Sequence, residues 1–175
     1  MHHVGDPIGD IERGDYPAVL DGDGERPADS VDRFASLRDY RDPSTLVDPG
    51  ALYAVMERAG FVDGIQAVYA PDGAQAVVTV TQFESSAGAQ AVLTAHLDDY
   101  CSLAVVTRPR VERNGLLMLR DRGAVRVLFV LDDLEVSVFE CGCFGTSDEG
   151  RADQVEAWAA LVAKQLESPK TSGAT

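Results

Sequence analysis

Four side chains in this sequence have the types and spacing for chemistry: His96, Cys101, Cys141 and Cys143. His2 and His3 lie in an acidic N-terminal stretch, so His96 is the histidine placed for acid–base work. It falls on the apolar stripe of its expected helix, where a half-buried histidine bonded to a neighbour serves packing. The cysteines admit several chemistries. In an oxidising compartment Cys101 joined to Cys141 or Cys143 ties a helix end to the sheet. Closing that loop of about 40 residues contributes roughly 3–4 kcal/mol and leaves one odd thiol. In a reducing compartment all three stay free and behave as small hydrophobes. Cys141 and Cys143 flanking Gly142 also form a Cys-Gly-Cys pair with redox potential. Zinc held by His96, Cys101, Cys141 and Cys143 has suitable ligand types. It requires the helix to end between His96 and Cys101, which stand about 140° apart on a continuous one. No GxSxG, phosphate-cradling glycine loop or HExxH occurs, which argues against nucleophilic catalysis by serine.

Two charged stretches invite ligands. Arg108, Arg110, Arg113, Arg120, Arg122 and Arg126 fall within nineteen residues of an otherwise acidic chain. Arg108 and Arg110 share strand parity, as do Arg120, Arg122 and Arg126, so Arg108, Arg110, Arg120, Arg122 and Arg126 are candidates to receive a carboxylate, a phosphate or an acidic partner. The bland alternative is a solvated face paired with Glu112, Asp121 and Glu135. Upstream, Asp21, Asp23, Glu25, Asp29 and Asp32 match the acidic positions of a calcium loop. Arg26 stands where that loop needs glycine, Pro27 follows, and no helix precedes it. An acidic linker is the expected reading, with no metal and no cofactor.

These residues need elements to hold them. Val125 to Cys141 alternates at the strand period on both sides of Asp132-Asp133. A two-residue turn there sets Leu131 opposite Leu134, Phe129 opposite Val136 and Val127 opposite Val138. One face then holds Val125, Val127, Phe129, Leu131, Leu134, Val136 and Val138. The other holds Arg126, Leu128, Val130, Glu135, Ser137, Phe139 and Cys141, and is only half apolar. Asp48-Pro49 opens a helix with Leu52, Val55, Met56 and Ala59 on one side, stopped by Gly60. Strands are expected over 65–70 and 76–83, followed by a helix capped at Ser85-Ser86 that buries Ala89, Val92, Leu93, His96 and Leu97. Further strands are expected over 103–107 and 116–120. A capping box at Thr146–Glu149 starts the last helix, with Val155, Trp158, Ala159, Val162 and Leu166 in one stripe. Val31, Phe34, Ala35 and Arg38 carry helical spacing in a short segment.

The fold class that follows is α+β: an antiparallel sheet of about five to six strands with packed helices, preceded by an acidic flexible arm. Residues 1–30 are expected to be disordered, 31–168 to form a single domain, and 169–175 to be a disordered tail. The chain has 175 residues, 45% hydrophobic, with a net charge of -14. A body of roughly 120–130 residues buries about two thirds of its unfolded surface and needs no metal or disulfide to fold. The charge disfavours nucleic acid and anionic membranes, and no apolar run reaches the roughly 20 residues of a membrane span.

AGFVDG at Ala59–Gly64, QFESSAGAQAVL at Gln82–Leu93 and AKQLES closing the last helix together resemble extracytoplasmic domains of uncharacterised actinobacterial lipoproteins and sensor-like proteins. GDYP at Gly14–Pro17 and the Val47-Asp48-Pro49 helix start are similar to a mycobacterial branch of them. The likeness spans Ala59 to Ser168. The chain departs from that pattern in showing neither a signal peptide nor a lipobox cysteine. The resemblance implies a non-enzymatic domain and supplies no catalytic residues. The expected function is a non-catalytic module, lipoprotein- or sensor-like, binding a small ligand or a protein without inserting into a membrane. It would be extracytoplasmic if a native leader is missing here, and cytoplasmic otherwise. The alternatives are a cytosolic accessory or assembly protein docking through its acidic arm, and a cysteine-dependent redox enzyme.

Overall fold

The computed structural model describes residues 8, 19–21, 24–26, 28–40, 49–69, 75–101, 105–107, 117–121, 124–141 and 148–167. In chain order its elements are β1 (Val19–Asp21), β2 (Gly24–Arg26), β3 (Ser30–Phe34), α1 (Pro49–Arg58), β4 (Phe61–Tyr69), β5 (Gln75–Phe83), α2 (Ser86–Cys101), β6 (Val105–Thr107), β7 (Leu117–Asp121), β8 (Ala124–Leu131), β9 (Leu134–Cys141) and α3 (Asp148–Glu167). Seven strands form one sheet in the order β3-β4-β5-β9-β8-β7-β6, and β1 and β2 form a separate ribbon. Every pairing is antiparallel. The molecule is α+β, as expected.

The β8–β9 hairpin has the register read from the sequence: Leu131 pairs with Leu134, Phe129 with Val136 and Val127 with Val138. Asp132 takes the left-handed conformation (φ 52°) that the short turn demands, a state aspartate tolerates better than most residues. Asp133 then ties the turn to the neighbouring strand. Its backbone oxygen accepts from Phe83 N at 2.9 Å, and its carboxylate accepts from Gln82 Nε2 at 3.0 Å.

One sheet face is apolar and covered by α3. Ile65, Ala67, Val78, Val80, Val127, Phe129, Val136 and Val138 meet Val155, Trp158, Ala159, Val162 and Leu166. The helix places that stripe at the expected 3.6-residue spacing. The other face carries α1 and α2, with Leu52, Met56, Ala89, Val92 and Leu93 packed on Phe34, Phe83 and Leu128. Gly60 ends α1 at φ 77°, and the chain turns directly into β4. Ser85 caps α2: Gly88 N donates to its Oγ at 3.2 Å.

Three expectations change. The segment read as a short helix from Val31 is strand β3, paired along its length with β4. One or two helical turns are too short to hold themselves, whereas an edge strand gains a ladder, extended by Asp29 N donating to Val68 O at 2.8 Å. That strand brings the sheet to seven. The stretch expected to be a structureless arm contains the β1–β2 ribbon, which lies against α3, and Ile8, buried in the α3-side core. The described acids of the calcium-like pattern are split accordingly. Asp21 and Glu25 lie in the ribbon, while Asp32 pairs with Gln66 in the large sheet.

Candidate functional site

Strands β5, β8 and β9 alternate apolar and polar residues, and the polar set faces α1 and α2. Neighbouring ladder positions carry Gln66, Thr79 and Ser137 in one row. Gln66 Nε2 donates to Thr79 Oγ1 at 3.1 Å. Arg126, opposite Phe139, reaches diagonally along the hairpin and donates from Nε to Ser137 Oγ at 2.8 Å. Thr79, Ser137 and Arg126 are buried, with Arg126 only 2% exposed, while Gln66 at the β4 end is half-buried. Val77 and Phe139 border this row. Both are buried, and neither belongs to the two apolar clusters.

One row further toward the β8–β9 turn, Gly64, Thr81 and Glu135 are cross-strand neighbours. His96 descends onto this row from α2, its Nε2 3.8 Å from Glu135 Oε1 with both side chains buried. Thr81 Oγ1 has no hydrogen-bond partner among the described residues. The α2-side layer therefore contains a guanidinium, a carboxylate, an imidazole, three hydroxyls and an amide inside a helix–sheet sandwich. Buried groups of this kind cost free energy unless they are satisfied or used. Among the described residues the opposite face holds one buried carboxylate, Glu140, in the row of Tyr69 and Ala76.

The sequence candidates fare unevenly. His96 lies on the buried side of its helix, as its spacing predicts. Arg126 is inside the α2-side layer. Arg120 and Arg126 lie on two strands, β7 and β8, rather than one. Arg120 pairs with Val125 and Arg126 with Leu119, in adjacent rows of the ladder. Arg108, Arg110 and Arg122 lie outside the described residues, as do Cys143 and the side chains of Arg120, Cys101 and Cys141. Helix α2 runs unbroken to Cys101, so His96 and Cys101 keep their separation of about 140°, and the condition for a shared zinc is not met. Among the described residues no three His, Cys, Asp or Glu side chains gather as a metal site, and no helix is long and apolar enough to cross a membrane.

Sequence reasoning missed Gln66, Thr79, Thr81 and Ser137. Their signal was present as alternation: Thr79 and Thr81 interleave with Val78 and Val80, and Ser137 sits between Val136 and Val138. In a sheet open on one side, such positions face water. Here helices lie on both faces.

No protein-family model matches the chain, and no curated protein matches it. Among solved structures it is similar to the extracellular domain of PknH from Mycobacterium tuberculosis, at 15% identity and a TM-score of 0.48, covering 85% of this chain and 80% of that one. At that distance the likeness does not bear on function.

Proposed function

We propose that this chain is a non-catalytic binding module, sensor-like in use. It would receive a small anionic ligand, or a carboxylate-bearing segment of a partner, on the α2 side of the sheet along Gln66, Thr79, Ser137 and Arg126. The observation that supports this reading is the make-up of that row. A buried guanidinium and two hydroxyls, oriented by bonds to one another, adjoin the apolar pair Val77 and Phe139. Binding sites for small molecules combine apolar walls with a few fixed polar groups in this way, and arginine is suited to carboxylate and phosphate. Half-buried Gln66 and Val68 mark the open end of the row. His96 lies one row away, beside Glu135 in the contact between α2 and the sheet.

Titration of the intact protein with citrate and, separately, with inorganic phosphate tests this reading. The expected result is a saturable rise in melting temperature with one of them, corresponding to about 2.7 kcal/mol at a hundredfold excess over Kd. Ser137→Ala, which leaves the charges in place, should weaken the effect. No rise with either anion, or an unchanged rise in Ser137→Ala, removes the row as the site. We also place the module outside the cytoplasm. The support is the set of sequence stretches from Ala59 to Ser168 that resemble lipoprotein domains.

A further inference from the structure

The row that carries the proposed site continues past Gln66. Asp32 of β3 is the cross-strand neighbour of Gln66, so the ladder runs Asp32, Gln66, Thr79, Ser137. Burial deepens in the same order: Asp32 is exposed, Gln66 is half-buried, and Thr79 and Ser137 are each 1% exposed. A carboxylate therefore stands at the open end. The Arg126 guanidinium stands at the enclosed end, bonded to Ser137. Residues opposite one another in a ladder share a face, so both charges address the same side of the sheet. Three strand spacings, about 14 Å, separate Asp32 from Ser137 along the row. Arg33, next in sequence, falls on the other face and is engaged with Asp63, so it does not cancel Asp32 at the mouth.

The enclosed end is built to donate. Thr79 Oγ1 accepts from Gln66 Nε2 at 3.1 Å, and Ser137 Oγ accepts from Arg126 Nε at 2.8 Å. A hydroxyl that accepts still has its hydrogen to give, and these two stand directly across from each other. Two O–H donors beside a guanidinium suit a carboxylate. Charge decides what else the ligand carries. Glu135, two residues from Ser137 along β9, is buried too, and its carboxylate offsets the charge of Arg126. A ligand bringing negative charge alone must pass Asp32 and then leave the enclosed layer with a charge in excess, which burial penalises. A ligand that also brings an ammonium to Asp32 adds no net charge.

We propose that the ligand of this row is dipolar: an extended short peptide whose carboxylate reaches Thr79, Ser137 and Arg126 and whose ammonium meets Asp32. Allowing a contact of about 3 Å at each end, its charges lie about 8–10 Å apart, the span of an extended tripeptide. Val68, Val77 and Phe139 form the adjoining row on the same face and offer apolar surface to its side chains. The inference rests on this row being the binding site and narrows what the row binds.

Calorimetric titration of the full chain at about pH 6.5, where a peptide amine is charged, compares trialanine, N-acetyl-trialanine and trialanine amide. Trialanine should bind about two- to fivefold tighter than the acetylated peptide, the scale of an ion pair at an exposed rim. The amide should bind at least about tenfold more weakly than trialanine, because it loses charge-assisted hydrogen bonds at the enclosed end. In D32N, trialanine should fall to the level of the acetylated peptide. Equal binding of trialanine and N-acetyl-trialanine, or an undiminished preference for trialanine in D32N, overturns the dipolar ligand and leaves the row as a carboxylate site. So does the absence of peptide binding where citrate or phosphate still binds. An amide as tight as trialanine, or no binding by any peptide or anion, overturns the row and the dipolar ligand together.

Discussion

Gly64 and Gly88 set how closely the α1 and α2 layer approaches its supports. A Cβ at Gly64 would stand 2.1 Å from Phe34 Cε2. That ring is held edge-on by Tyr40 and stacked on Phe61, so it has little room to swing away. We expect Gly64→Ala to cost about 1–3 kcal/mol through overpacking, measured by urea unfolding. In a double-mutant cycle with Phe34→Leu the glycine substitution should cost less. Strict additivity would show that the ring is not the obstacle. At Gly88 the obstruction is backbone: the added carbon would lie 2.2 Å from the carbonyl oxygen of Ala59. Neither close approach is legible in the sequence, because each glycine's neighbour lies some thirty residues away. Gly60 differs. Its left-handed stop follows from local spacing, and the structure places it there.

At the scale of elements, α3 and the β8–β9 hairpin were readable because each carries its whole signal within one segment. The Trp158 stripe repeats at helical period, and the hairpin's apolar set tolerates one register. Trp158→Ala should remove about 3–5 kcal/mol, since the indole is fully buried against the α3-side face. A loss under about 1 kcal/mol in urea unfolding would mean that the helix is not the cover of that face. Helix α2 depends on its cap, and Ser85→Ala should cost about 1 kcal/mol. The same substitution at Ser86, already inside the helix, should cost less. Strand β3 was misread because its spacing over one turn suits either structure, and the choice fell to its pairing with β4.

For the whole molecule, compartment and thiol state belong together. The extracytoplasmic reading expects one reactive thiol in denatured protein purified without reductant, with Cys101 bonded to Cys141 or Cys143. Three reactive thiols would return the chain to the cytosolic accessory reading. Net charge of -14 leads us to expect no salt-dependent retention on duplex DNA, because a chain this acidic is repelled by the phosphate backbone as a whole. Retention at low salt that disappears by about 0.2 M would contradict this.

Composition and periodicity by themselves determined the α+β class, most element boundaries, the turn at Asp132-Asp133, the buried side of each helix and the inward placement of His96. These are properties of single segments, in which side-chain direction repeats with the local backbone geometry. Only the tertiary structure decided that β9 lies between β5 and β8, that Arg120 and Arg126 fall in different rows, and that Thr79, Thr81, Glu135 and Ser137 are enclosed rather than solvated. A polar side chain on a strand carries the same signal whether water or a helix lies above it. What covers it, and which residue stands beside it, depends on pairings between segments distant in the chain.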